Sequence, residues 1–122
     1  VRAWCNQHQV PLHVGHGNVP TAAAQRGQGV EETARALRYQ FLYDTARNEG
    51  YTLIATGHHA RVELGSDGVH TVCPAVDAVL DESAALAALP QDTLARLLLP
   101  LGEFTAADVQ EMAQDFKVNG TV

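Results

Sequence analysis

Residues Tyr51 to Val62 read YTLIATGHHARV, an apolar run rich in β-formers that stops at Gly57 and is followed at once by two histidines. Whether this is a buried strand opening onto a ligand site, or a strand running into an ordinary loop, decides the class of fold. On its N-terminal side Val30, Ala34, Leu37 and Phe41 recur at helical spacing, and Glu31 and Glu32 stand in the first turn, where the helix dipole favours acids. The spacing predicts a helix over Val30 to Asn48, closed by Gly50. A helix, a glycine and then a run suited to a strand covered on both faces is the order of an α/β fold with a parallel sheet. In such sheets ligands gather beyond the carboxyl ends of the strands, where ATGHH lies, and a glycine there lets a nucleotide approach the backbone. The plainer reading is a turn at Gly57 with His58 and His59 as solvated loop residues, and spacing alone favours it. Adjacent histidines in extended chain point to opposite sides, so the pair is not read as a zinc site. His13 and His16 lack an evident third ligand, so no metal site is expected there either.

Outward from this stretch, ARVEL and VHTVC flank GSDG and predict a β-hairpin. The C-terminal third divides at Pro90 and Pro100 into short helices, SAALAAL and QDTLARLLL. A last helix begins at the T-x-x-D signal Thr105 to Asp108, with Val109, Met112, Ala113 and Phe116 on one face. Toward the N-terminus, VRAWCNQHQVPLHV reads as the end of a helix running into a short strand at Val10 to Val14. The stretch from Gly15 to Gly29, with four glycines and Pro20, reads as a long loop.

The chain has 122 residues and a formal charge of −6. That length suits one compact domain, and the acidic balance argues against holding nucleic acid through the chain's overall field, since such binding rests on Lys and Arg neutralising phosphates. Two cysteines, Cys5 and Cys73, fit neither a disulfide framework nor a C-x-x-C metal site; both are expected to be buried, inert thiols. No segment approaches the ~20 apolar residues that span a bilayer, and a reducing cytoplasm is the expected compartment.

Residues 29–60, GVEETARALRYQFLYDTARNEGYTLIATGHHA, resemble tRNA(Ile)-lysidine synthetases and tRNA 2-thiocytidine enzymes, in which an E-x-x-A-R-x-x-R-Y helix precedes a strand ending in T-G-H-H. From Tyr51 to Phe116 the chain is closer to the tRNA-specific 2-thiouridylases, through ATGHHARV, the hairpin and VDAVLDESAALAALPQDTLARLLLPLGEFTAADVQEMA. Both groups are PP-loop ATP pyrophosphatases. The resemblance implies a Rossmann-like, adenine nucleotide alpha-hydrolase-like α/β fold with a partial parallel sheet, a short hairpin and C-terminal helices. It further implies binding of ATP, with Mg2+ in the intact enzyme, and adenylation of an anticodon-base carbonyl before thiolation or lysine addition.

Residue by residue, the resemblance places ATP at Gly57, with His58 following in the same motif. It places tRNA at Asp81, within a segment that reads K-D-Q-S in the thiouridylases and Leu80-Asp81-Glu82-Ser83 here, and at Arg35 and Arg38 on the central helix. Losing the Lys and gaining Glu82 weakens the tRNA assignment. The bland reading of Arg35 is a solvated stripe with Glu31 paired to it at i, i+4. The family's S-G-G-x-D-S loop, whose amides cradle phosphate, is absent from the 122 residues, as are the acids that follow G-H-H in lysidine enzymes and the thiouridylase cysteine before the central helix. No catalytic residue is therefore assigned. The expectation is a single partial nucleotide-binding domain over 1–122 that lacks its first strand and phosphate loop, is inactive alone, holds tRNA weakly or not at all, and self-associates through open sheet edges. The alternative is a non-catalytic α/β module that kept the fold and lost the site.

Overall fold

The computed structural model describes residues 1–118 and falls into two compact units, Val1–Thr52 and Leu53–Val122. In the first, helix α1 (Arg2–Gln7) buries Cys5. The expected strand at Val10 to Val14 does not form: the segment is exposed coil and belongs to no β-ladder among the described residues. Val10 N–H donates to Cys5 C=O at 2.9 Å, and without a neighbouring strand the remaining backbone groups stay with solvent. Nor is Gly15 to Gly29 a structureless loop. Helix α2 (Val19–Arg26) occupies its middle, started by Asn18, whose Oδ1 accepts from Thr21 N–H at 3.1 Å, and by Pro20 in the first turn. Helix α3 (Val30–Asn48) has the predicted bounds, carries Glu31 and Glu32 in its first turn, and buries Thr33 and Tyr39. It packs against α2. Gly50, at φ 82°, takes the left-handed turn that ends it.

The second unit holds the sheets. Strand β1 (Ile54–Ala55) is only two residues of YTLIAT and pairs parallel with β4 (Leu97–Leu98). The parallel sense is as expected, whereas the expected interior strand covered on both faces is not found: Ile54 is buried, Ala55 is exposed, and β1 has one neighbour among the described residues. A short apolar run becomes strand only where a partner supplies its bonds, and here Arg96 and Leu98 supply them, accepting from Ile54 and Thr56 N–H at 2.9 and 3.1 Å. The hairpin is as predicted, β2 (Ala60–Leu64) antiparallel to β3 (His70–Pro74), turned at Gly68 with φ 81°. Helix α4 (Ser83–Leu86) is shorter than SAALAAL. Helix α5 (Gln91–Ala95) stops where QDTLARLLL turns into β4. Helix α6 (Ala106–Asp115) opens on a reciprocal capping box between Thr105 and Asp108. Ile54, Ala60, Ala75, Leu86, Leu94 and Leu97 form the core of this unit. The small parallel sheet with its helices is a partial, Rossmann-like α/β fold.

Candidate functional site

The ladder between β1 and β4 ends at Thr56, and the chain then passes through Gly57 and His58 before entering β2. Gly57 is exposed, and a Cβ built there would meet nothing nearer than Leu101 Cδ1 at 4.0 Å. The space that a side chain would fill therefore stays open at the carboxyl end of the parallel strand. Thr56 Oγ1 and His58 Nδ1 share a hydrogen bond of 2.9 Å, and His58 is half-buried. When the hydroxyl donates to Nδ1, the other ring nitrogen carries the proton and becomes a donor.

The next residue locks this turn to the segment that follows the hairpin. His59 N–H donates to Glu82 Oε1 at 3.1 Å, and Glu82 N–H donates to His59 C=O at 2.8 Å. Sequence reasoning took Glu82 for a source of repulsion, and its side chain is instead a backbone acceptor. His59 Nδ1 is buried with no hydrogen-bond partner. Asp81, alongside, is heavily engaged: Oδ1 accepts from Ala75 N–H at 2.9 Å and Ser83 N–H at 3.1 Å, and Oδ2 accepts from the Ser83 hydroxyl at 2.8 Å. These donors, the Ala75 amide above all, hold its carboxyl below the usual carboxylate range.

Asp77, which sequence reasoning passed over, is the equivalent pin for α6. Its Oδ2 accepts from Ala106 N–H at 3.0 Å, and its Oδ1 from Val79 and Leu80 N–H. The Ala106 amide is the main cause of its lowered pKa. A D-x-x-x-D spacing before a helix start was the available signal. Gly102 fixes the last side of the site. A Cβ there would overlap the Ala60 carbonyl, and Gly102 C=O accepts from Val76 N–H at 3.0 Å. TGHHA, VDAV and PLGEF are thereby joined around Ala60, which is fully buried.

Gly57, His58 and Asp81 are thus gathered in one unit. The open backbone at Gly57 suits the approach of a nucleoside, while cations for phosphates are scarce in this unit. Arg61, nearest in sequence, is committed to Pro74 C=O through Nε at 2.8 Å and to Glu63 at 3.1 Å. Arg35 and Arg38 belong to the other unit, where Arg35 is half-buried and Arg38 is exposed. No ion pair joins Glu31 to Arg35 among the described residues. Arg38 lines an open groove of about 590 Å³ with Gly15, Gly17, Leu37, Phe41 and Asp44.

Cys73 is half-buried rather than buried, because its strand faces partly outward. Burial of the sulfur, followed by the nearby Glu63 carboxylate, still pushes its thiol up, the unreactive direction. Among the described residues no group of three or more His, Cys, Asp or Glu is placed to hold a metal ion, and no helix is long and apolar enough to cross a membrane.

Comparison with known proteins agrees with this geometry. The chain is 42% identical over 82 residues to a tRNA-specific 2-thiouridylase MnmA of Chloroflexus aurantiacus, covering 67% of this chain and 23% of that protein. It is 40% identical over 85 residues to the enzyme of the same name in Chlorobaculum tepidum, covering 70% and 23%, and 39% identical over 80 residues to that of Geobacter metallireducens, covering 66% and 22%. The chain spans less than a quarter of the length of these curated relatives. Residues 31–121 match the model of the tRNA methyl transferase HUP domain, so that the helix carrying Arg35 and Arg38, the opening at Gly57, the hairpin and the PLGEF turn all lie inside the match, and the chain belongs to that family of tRNA-modifying, PP-loop-type proteins.

Proposed function

We propose that this chain is part of the nucleotide-binding domain of a cytoplasmic enzyme that uses ATP to activate an anticodon-region uridine of tRNA for 2-thiolation. The observation that carries the reading is Gly57, which leaves open space at the carboxyl end of the parallel strand β1. The names of its relatives supply the class of reaction. ATP, when bound with Mg2+, supplies an adenylyl group that turns a poor oxygen leaving group into a good one. In the proposal this chain's own residues position the substrates. The exposed Gly57 backbone receives the nucleoside, and His58, oriented by Thr56, offers a ring N–H beside it. Asp81 lies at the tRNA side of the site. Since its oxygens already accept three protein donors, its main contribution is to hold the loop that meets the substrate. The phosphate-cradling loop comes from outside these 122 residues.

Titration calorimetry of ATP into the chain and its Gly57→Val variant tests the reading. The expected result is weak binding by the chain, at least tenfold weaker in the variant, with an unchanged unfolding midpoint. Equal affinities would exclude Gly57 as the nucleotide site. The pure chain is also expected to release no pyrophosphate with ATP and tRNA, and steady release would show that the phosphate loop is dispensable.

A further inference from the structure

The charges of the chain are divided unevenly between its two units. Residues 1–52 carry five of the eight cations, Arg2, Arg26, Arg35, Arg38 and Arg47, against four acids, a formal +1. Residues 53–122 carry Arg61, Arg96 and Lys117 against ten acids, a formal −7. The net −6 therefore conceals one unit on which a polyanion is not repelled, and such asymmetry between halves marks the half that meets nucleic acid.

Within that unit lies the 590 Å³ groove, and its lining is not simply apolar. Phe41 is 37% exposed, and the Gly15 backbone is close enough that a Cβ there would strike the ring at 2.7 Å, so a glycine is what allows the ring to lie along the groove wall. Arg38 stands one turn before Phe41 on α3. Gln40 and Asp44 supply an amide and a carboxylate on the same groove. An aromatic face, a guanidinium and hydrogen-bonding groups within two helical turns are the elements of a single-nucleotide subsite on a single strand: ring on ring, cation on phosphate, polar groups on the base edge.

We propose that this groove binds an unpaired nucleotide of RNA, its base stacked on Phe41 and its phosphate on Arg38. Arg35, about 4.5 Å earlier along the helix axis at 1.5 Å per residue, lies within reach of a neighbouring phosphate. The inference rests on the reading that the substrate is RNA, and it is separate from the opening at Gly57.

The test is fluorescence anisotropy of a labelled ten-residue oligouridylate titrated with the full chain, without ATP, at two salt concentrations. Phe41→Ala is expected to weaken binding roughly 5- to 100-fold, as for loss of one stacked base. Phe41→Tyr, which keeps the ring, is expected to restore it and guards against a folding defect in the alanine variant. Arg38→Ala should reduce the slope of log affinity against log salt by about 0.7, the value for one phosphate contact on a single strand. Absence of oligouridylate binding by the unaltered chain, or equal binding by Phe41→Ala and Phe41→Tyr, would overturn the subsite. If ATP still binds in the calorimeter, the failure is of the groove alone. Loss of ATP binding with oligouridylate binding intact would count against Gly57 and leave the groove standing.

Discussion

Two glycines at the site obey opposite constraints. Gly57 is free of neighbours, so its lack of a side chain leaves room for a ligand. Gly102 is hemmed in, so its lack of a side chain leaves room for Ala60. The difference predicts different outcomes for the same small change. Gly102→Ala drives a methyl into a backbone carbonyl that is itself part of the core, and overpacking of this kind costs about 1–3 kcal/mol. A denaturant titration should show the midpoint falling by that amount with little change in slope. An unaltered midpoint would mean that the PLGEF turn can move away from Ala60 freely. The carboxylates show a similar division. Asp77 and Asp81 are four residues apart and both accept several donors, yet each pins a different helix start, α6 and α4. Reading the sequence alone singled out Asp81 by resemblance and missed Asp77, because its chief partner, Ala106, is 29 residues away.

At the scale of the elements, what was legible was what is local. Helix α3 carries its period, its first-turn acids and its terminal glycine within one window, and α6 carries its own capping box, so both had been read correctly. The hairpin was readable from GSDG. Helix α2 was missed although Asn18-Val19-Pro20 is a start signal, because the surrounding glycines outweighed it. Strand β4 was missed because LLL after a helix reads as more helix until a parallel partner claims it, and that partner is more than forty residues upstream. The opening at Gly57 was legible as a position and not as a geometry. The pinned helix starts also give the fold an acid limit. Both carboxyls have folded pKa values lowered from the ordinary range. Their contribution is therefore fully present above the unfolded value of about 4 and lost as pH falls through the lower folded values. Thermal unfolding followed by circular dichroism should be flat from neutral pH to about 5 and fall steeply below about 4. Asp77→Asn should start lower at neutral pH and fall less, and a variant as steep as the unaltered chain would mean that other groups carry the acid transition.

At the scale of the whole molecule, the two sheets differ in how their outer rows are closed. Strands β1 and β4 pair with each other alone among the described residues, and a two-stranded ribbon with open rows invites another chain. Light scattering after size exclusion is expected to show a mass that rises with concentration. A mass of one chain at every concentration would mean that these rows are satisfied within the molecule. The hairpin is treated otherwise. The outward N–H of His70 donates to Gln91 Oε1 and its outward C=O accepts from Gln91 Nε2, both at 2.8 Å, so that a side-chain amide from α5 takes the place of a third strand. The guard on that side of the hairpin is thus encoded outside the sheet it guards, in a single codon. Drift at position 91, even to an acid of the same shape that can accept but not donate, would expose the hairpin to unwanted partners while every strand residue stayed as it is.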